Sequence, residues 1–184
     1  MSMFDGIQAA KVNLSRYIKS GHYLARIDAV VAGQNRSGGD LVAIEMTNLF
    51  TFPDGPVPLD GKFHAVGEAL SEVISKSGSK DMYLPRIKAF AMSVLNATDE
   101  EITSEVCEQV TGPTQPLKGL VIEVYATNIV TKLKQQQIVR VEWRGQIGVA
   151  RLKQLVPADQ LLRNGLDAAA LTALAARQVQ MGVN

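Results

Sequence analysis

The sequence predicts a mainly β fold of the α+β kind: a five-stranded antiparallel barrel, a helical insert between strands three and four, and a helical tail. Two pairs of segments, within 22–52 and 119–145, alternate in side-chain character and are rich in β-branched residues. Between them, from Lys62 to Thr111, apolar residues recur at helical spacing. After Ala158 the run LDAAALTALAARQVQM favours helix. Two separate hairpins argue against a doubly wound parallel sheet, which needs strand and helix to alternate regularly.

In chain order, residues 1–20 read as a helix or an arm, with Ile7, Val12, Leu14 and Ile18 imperfectly spaced. Gly21 opens HYLARIDAVV, a strand with Tyr23, Ala25, Ile27 and Ala29 on one face and Leu24, Arg26, Asp28 and Val30 on the other. GQNRSGG turns the chain into DLVAIEMTNLFTF, completing a hairpin. PDGPVPLDG ends the second strand and leaves room for a short third one around Val57–Leu59. Val66, Leu70, Val73 and Ile74 predict a first insert helix. Leu84 to Leu95 predict a second with Pro85 in its first turn, and Thr98 with Glu101 forms a capping-box pattern for a third. GLVIEVYATNIVTK and IVRVEWRG return to period two; in the latter Ile138, Arg140, Glu142 and Arg144 oppose Val139, Val141 and Trp143. Asp159 and Asp167 are candidate caps for the tail helices. The implied organisation is an arm over 1–20, a domain over 21–153 with its insert at about 62–111, and a tail over 154–184. Five strands with a helical element between the third and fourth follow the order of the OB fold.

With 46 % apolar and 20 % charged residues, the chain can bury a core. A net charge of +1 excludes a histone-like protein and an acidic DNA mimic. The single cysteine, Cys107, excludes intrachain disulfides, and its acidic neighbours Glu105 and Glu108 favour a structural role. His22 and His64 begin no metal spacing, so neither a metal nor another cofactor is expected. The absence of a long apolar run and of a signal-peptide core leads to the expectation of a cytoplasmic protein with no membrane partner.

The near-neutral total hides an uneven distribution. Residues 112–153 hold seven basic side chains against two acidic ones, whereas 98–111 hold five acidic and no basic ones. A basic groove on strands is the electrostatic footprint of a nucleic-acid binder. The candidate phosphate contacts are Lys132, Lys134, Arg140, Arg144 and Arg36, helped by Arg26 and Lys62, with Trp143, Tyr125 and Phe52 as stacking rings. The aromatic content, 5 %, is low for a surface that relies on stacking, which shifts weight to phosphate contacts. Phe50 and Phe90 read as core.

Catalysis is not expected. Glu100 and Glu101 sit where they complement a helix dipole, GQNRSGG lacks the end of a phosphate loop, and Asp28, Asp40, Glu45 and Asp54 have no nuclease spacing. The alternative function is a protein–protein interaction module, with Leu166, Ala169, Ala170, Leu171, Leu174 and Val179 as the working stripe of the last helix.

The segments GHYLARIDAV, NRSGGDLVAIEM, LPRIKAFAMSVLNATDEEIT and QPLKGLVIEVYATNIVTKLKQQQIVRVEWRG together resemble the phage-encoded OB-fold single-stranded DNA-binding proteins, over roughly residues 20–145. The resemblance implies sequence-tolerant binding of single strands that protects replication or recombination intermediates. Replication or recombination proteins would be partners, and a weak homodimer is compatible with it. The chain ends in RQVQMGVN rather than in the acidic tail through which many such proteins recruit partners.

Overall fold

The computed structural model describes residues 17–76, 80–130 and 137–183. Its centre is a five-stranded antiparallel sheet in the order β3-β2-β1-β4-β5. The strands are β1 (Gly21–Gln34), β2 (Asp40–Thr51), β3 (Ala69–Ser75), β4 (Val121–Val130) and β5 (Gln137–Gln146). The helices are α1 (Lys80–Leu95), α2 (Ser104–Thr111), α3 (Val149–Leu155), α4 (Ala158–Arg163) and α5 (Ala168–Gln180). The chain is thus α+β with both expected hairpins. The expectation of an arm or helix over 1–20 falls on residues 1–16, outside the described residues, apart from Tyr17–Ser20. There Tyr17 bridges Ser71 and the Ile18 N–H donates to Ser71 O at 2.9 Å, covering part of the β3 edge.

β1 is buried on both faces where it begins: Tyr23, Leu24, Ala25 and Ile27 are fully enclosed. The one-sided alternation read from the sequence therefore fails over this stretch, because β1 is the central strand, with β2 on one side and β4 on the other. Two register shifts against β2, at Leu24/Ala25 and Ile27/Ala29, interrupt the period further.

The third strand is not at Val57–Leu59. Those residues lie in the long connection after β2, where Val57 and Leu59 stand exposed and Pro53, Pro56 and Pro58 offer no N–H to a ladder. The strand is instead Ala69–Ser75, where a helix was expected, so the insert contains α1 and α2 and begins at Lys80. Leu70 and Ile74 are four residues apart, a separation that fits one helical turn and also two full strand periods. Their burial together with Glu72, between half-buried neighbours, follows the strand period, and β2 supplies the ladder that decides it.

Closure of the sheet into a barrel by β3 against β5 is not observed among the described residues; β3 and β5 are its two edges. α1 lies between those edges and contacts both. Arg86 of α1 is ion-paired with Glu72 of β3. At the other edge the Ser93 hydroxyl donates to Trp143 O at 2.9 Å, and the Gln146 side chain donates to Val94 O at 2.6 Å. Ile87, Phe90, Ala91 and Val94 form the buried stripe of α1. The helix starts before the expected turn, so Pro85 falls inside it, on the exposed side. The Thr98–Glu101 capping interaction is present but opens a single 3₁₀ turn; α2 starts later, capped by Thr103. Burial pushes the half-buried Cys107 thiol up, in keeping with a structural role.

The tail belongs to the same core. Leu152, Val156, Leu161, Leu166, Leu171 and Leu174 all join it, and the Gln178 side chain donates to Ile147 O at 2.7 Å. Asp167 caps α5, accepting from Ala170 N at 2.8 Å, whereas α4 begins after Pro157 and Asp159 lies in its first turn. The stripe considered for an interaction module is therefore divided: Leu166, Leu171 and Leu174 face the chain's own core, while Val179 stays exposed.

Glu72 gives a pH-dependent prediction. Burial pushes its carboxyl from 4.5 up to about 7 against the opposing pull of Arg86. Between those values the folded chain holds a proton that the unfolded chain has released, so stability falls as pH rises through the window. Denaturant titrations at pH 4.5 and pH 8 should show a loss of about 1–3 kcal/mol from this group, largely absent in Glu72→Gln. Equal pH slopes in the two proteins would contradict the assignment.

Candidate nucleic-acid interface

His22 stands opposite Tyr125 in the β1–β4 ladder, and Leu24 stands opposite both Glu123 and Phe50. Because side chains alternate along a strand, these registers put His22, Glu123, Tyr125 and Phe50 on one face. Tyr125 is in turn opposite Glu142 of β5. Arg144, two residues beyond Glu142, shares that face next to a register shift at Glu123. Phe52 follows the end of β2, its N–H donating to His22 O at 2.8 Å.

The result is a row of rings crossing the sheet. Phe50 meets Phe52 edge-on at 5.1 Å, and Phe52 stacks on His22 at 3.9 Å with an interplanar angle of 20°. His22 meets Tyr125 edge-on at 5.5 Å. The Arg144 guanidinium lies 4.1 Å from the centre of the Tyr125 ring, a cation–π arrangement. His22 is buried, whereas Phe50, Phe52 and Tyr125 are half-buried and leave part of each ring to solvent.

Two carboxylates fix this row. Glu123 Oε1 lies 2.8 Å from His22 Nε2 and 3.5 Å from Arg144 Nη1. Asp54 Oδ1 is 3.4 Å from His22 Nδ1. Asp54 reaches the ring because the loop after β2 packs directly on β1: a Cβ at Gly55 would come within 2.5 Å of His22 N. Farther along the same loop, the Asn48 side chain donates to His64 O at 2.9 Å. His64 Nε2 accepts the Lys19 N–H at 3.1 Å, and burial holds that imidazole below its usual range. Asp54 and Glu123 approach opposite nitrogens of His22, so they bracket the ring and do not converge on one point. Among the described residues no group of three or more His, Cys, Asp or Glu side chains is arranged to hold a metal ion. Nor is any helix among them long and apolar enough to cross a membrane.

Of the residues singled out in the sequence, Phe52, Tyr125 and Arg144 come together in this row. Arg140, exposed and opposite Thr127, shares the face of β5 with Arg144 and Glu142. Lys62 is exposed in the loop that carries Asp54, and its carbonyl accepts from Lys19 Nζ at 3.3 Å. Lys132 and Lys134 lie outside the described residues. Arg36 is exposed in the turn at the far end of β1, up to about 40 Å of extended strand from His22, so it does not share this surface.

Two expectations need correction. Trp143 is on the opposite face, half-buried against Phe90 of α1 with ring centroids 4.8 Å apart, so it does not join this row. It stands opposite Val124, which is fully buried, and the strand period carries it inward. Arg26 is held by Asp28, through Nε at 2.9 Å, and donates to the Asn164 carbonyl at the end of α4. That guanidinium ties the tail to the sheet.

Sequence reasoning missed His22, Glu123 and Asp54; Phe50, read as core, does pack against the core and also meets Phe52 in the row. The period-two pattern of GHYLARIDAV already placed His22 on the face of Leu24 and Arg26. Joining it to Tyr125 required the strand register, which no local pattern carries. No protein-family model matches the chain, and no curated protein matches it in sequence.

Proposed function

We propose that this chain is a non-enzymatic, sequence-tolerant binder of single-stranded DNA that covers replication or recombination intermediates. The observation that carries the reading is the row Phe50–Phe52–His22–Tyr125, ended by Arg144. Partly exposed rings beside a cation are what unpaired bases and their phosphates need, and every base has a face to stack irrespective of sequence. Arg140 adds exposed positive charge on the same face of β5 as Arg144. The strand connectivity supports an OB-like scaffold opened between β3 and β5, with α1 inserted in the gap.

The test is fluorescence anisotropy with a labelled mixed-sequence 30-mer and its duplex, at low and high salt. Single-strand binding should exceed duplex binding about tenfold or more and weaken steeply with salt. Exchanging the oligonucleotide sequence should change affinity little. Intrinsic Trp143 emission should respond weakly, since that ring packs on Phe90. Failure to bind the single strand at low salt overturns the reading.

A further inference from the structure

The cation–π contact holds Arg144 in a place that a stacking base would need. Its guanidinium lies over the Tyr125 ring, and Glu123 Oε1 anchors it there at 3.5 Å while also contacting His22. The Arg144 side chain is 42 % exposed, so it is free to swing outward without breaking the core, whereas Glu123 is 29 % exposed and tied to the row.

Resting on the single-strand reading above, we propose that Glu123 is a positioning residue that keeps Arg144 parked over Tyr125, so that binding proceeds by exchange. An unpaired base takes the ring face, and the displaced guanidinium turns to the adjoining phosphate. Both halves of the exchange need a single strand. A duplex offers phosphates but keeps its base faces stacked, so it cannot replace the cation on Tyr125 and gains only the weaker half. The exchange therefore works as a filter for strand state as well as a contact. A glutamine at 123 keeps an acceptor for His22 but loses the charge that holds Arg144.

The test is a double-mutant cycle by anisotropy, using Glu123→Gln, Arg144→Leu and the double variant with a mixed-sequence 30-mer and its duplex. Glu123→Gln is expected to tighten single-strand binding about two- to fivefold, the scale of an exposed ion pair. Arg144→Leu is expected to weaken it and to lower the magnitude of the salt slope by about 0.7, one phosphate contact on a single strand. In the Arg144→Leu background the gain from Glu123→Gln should vanish, because there is no guanidinium left to release. If the same gain persists there, Glu123 acts by direct repulsion of phosphate and the exchange is overturned. An unaltered salt slope in Arg144→Leu also overturns it, since the displaced guanidinium then reaches no phosphate. These outcomes are distinct from failure of the single-strand reading itself, in which the unsubstituted chain does not bind the oligonucleotide. Thermal melts of all three variants within a few degrees of the parent show that the changes act at the surface.

Discussion

Phe90→Ala is expected to cost about 3–5 kcal/mol of folding stability, a large share of what a domain of this size has. Phe90 is 1 % exposed and meets Trp143 at 4.8 Å and 66°, so its loss removes both buried area and an edge-to-face aromatic pair. The cost is concentrated here because α1 stands between the two open edges of the sheet. Loosening it exposes the edges of β3 and β5 together, which invites association with other chains. Urea denaturation followed by Trp143 emission reads both effects: a lower midpoint, and a red-shifted native spectrum as water reaches the indole. A loss below about 1 kcal/mol would mean that α1 is not packed across the gap as described.

The paired substitution Phe52→Ala/Tyr125→Ala is expected to weaken single-strand binding about thirtyfold or more, since each of the two stacked bases contributes about 1–3 kcal/mol. The salt slope should change little, because neither side chain carries charge; that separates stacking from phosphate contact. Both rings are half-buried, and Phe52 packs at the rim of the core, so the variant should remain folded with a lowered melting temperature. His22 would lose its stacking partner Phe52 but keep its contacts to Glu123 and Asp54. A variant that folds and binds single strands as tightly as the parent would remove the ring row as the binding surface. Gly55→Ala offers a milder lesion of the same surface: it forces the loop away from His22 N without deleting any ring.

Local chemistry alone was sufficient for the two hairpins, the α1 stripe, the Asp167 cap and the helical tail. In each, a repeated spacing or a cap lies within a few residues of what it specifies, so neighbours in sequence carry the signal. The strand at Ala69–Ser75 was not legible, because Leu70 and Ile74 satisfy both periods and only the ladder with β2 chooses between them. Barrel closure was not legible either; whether β3 meets β5 depends on what packs between them, and α1 occupies that place.

The candidate site divides along the same line. Tyr125, Phe52 and Arg144 could be named from the sequence, because ring and cation types on strands suggest stacking and phosphate contact wherever they fall. Which of them meet was decided by register across β2, β1, β4 and β5, which joined His22 and Glu123 to them and sent Trp143 to the opposite face. Arg26 shows the same division: its charge was plain in the sequence, but the carbonyl of Asn164 that occupies it is 138 residues away along the chain. The sequence by itself determined which side chains could stack and carry charge; the tertiary structure decided which share a surface, because register and packing join residues too far apart in the chain for any local pattern to relate.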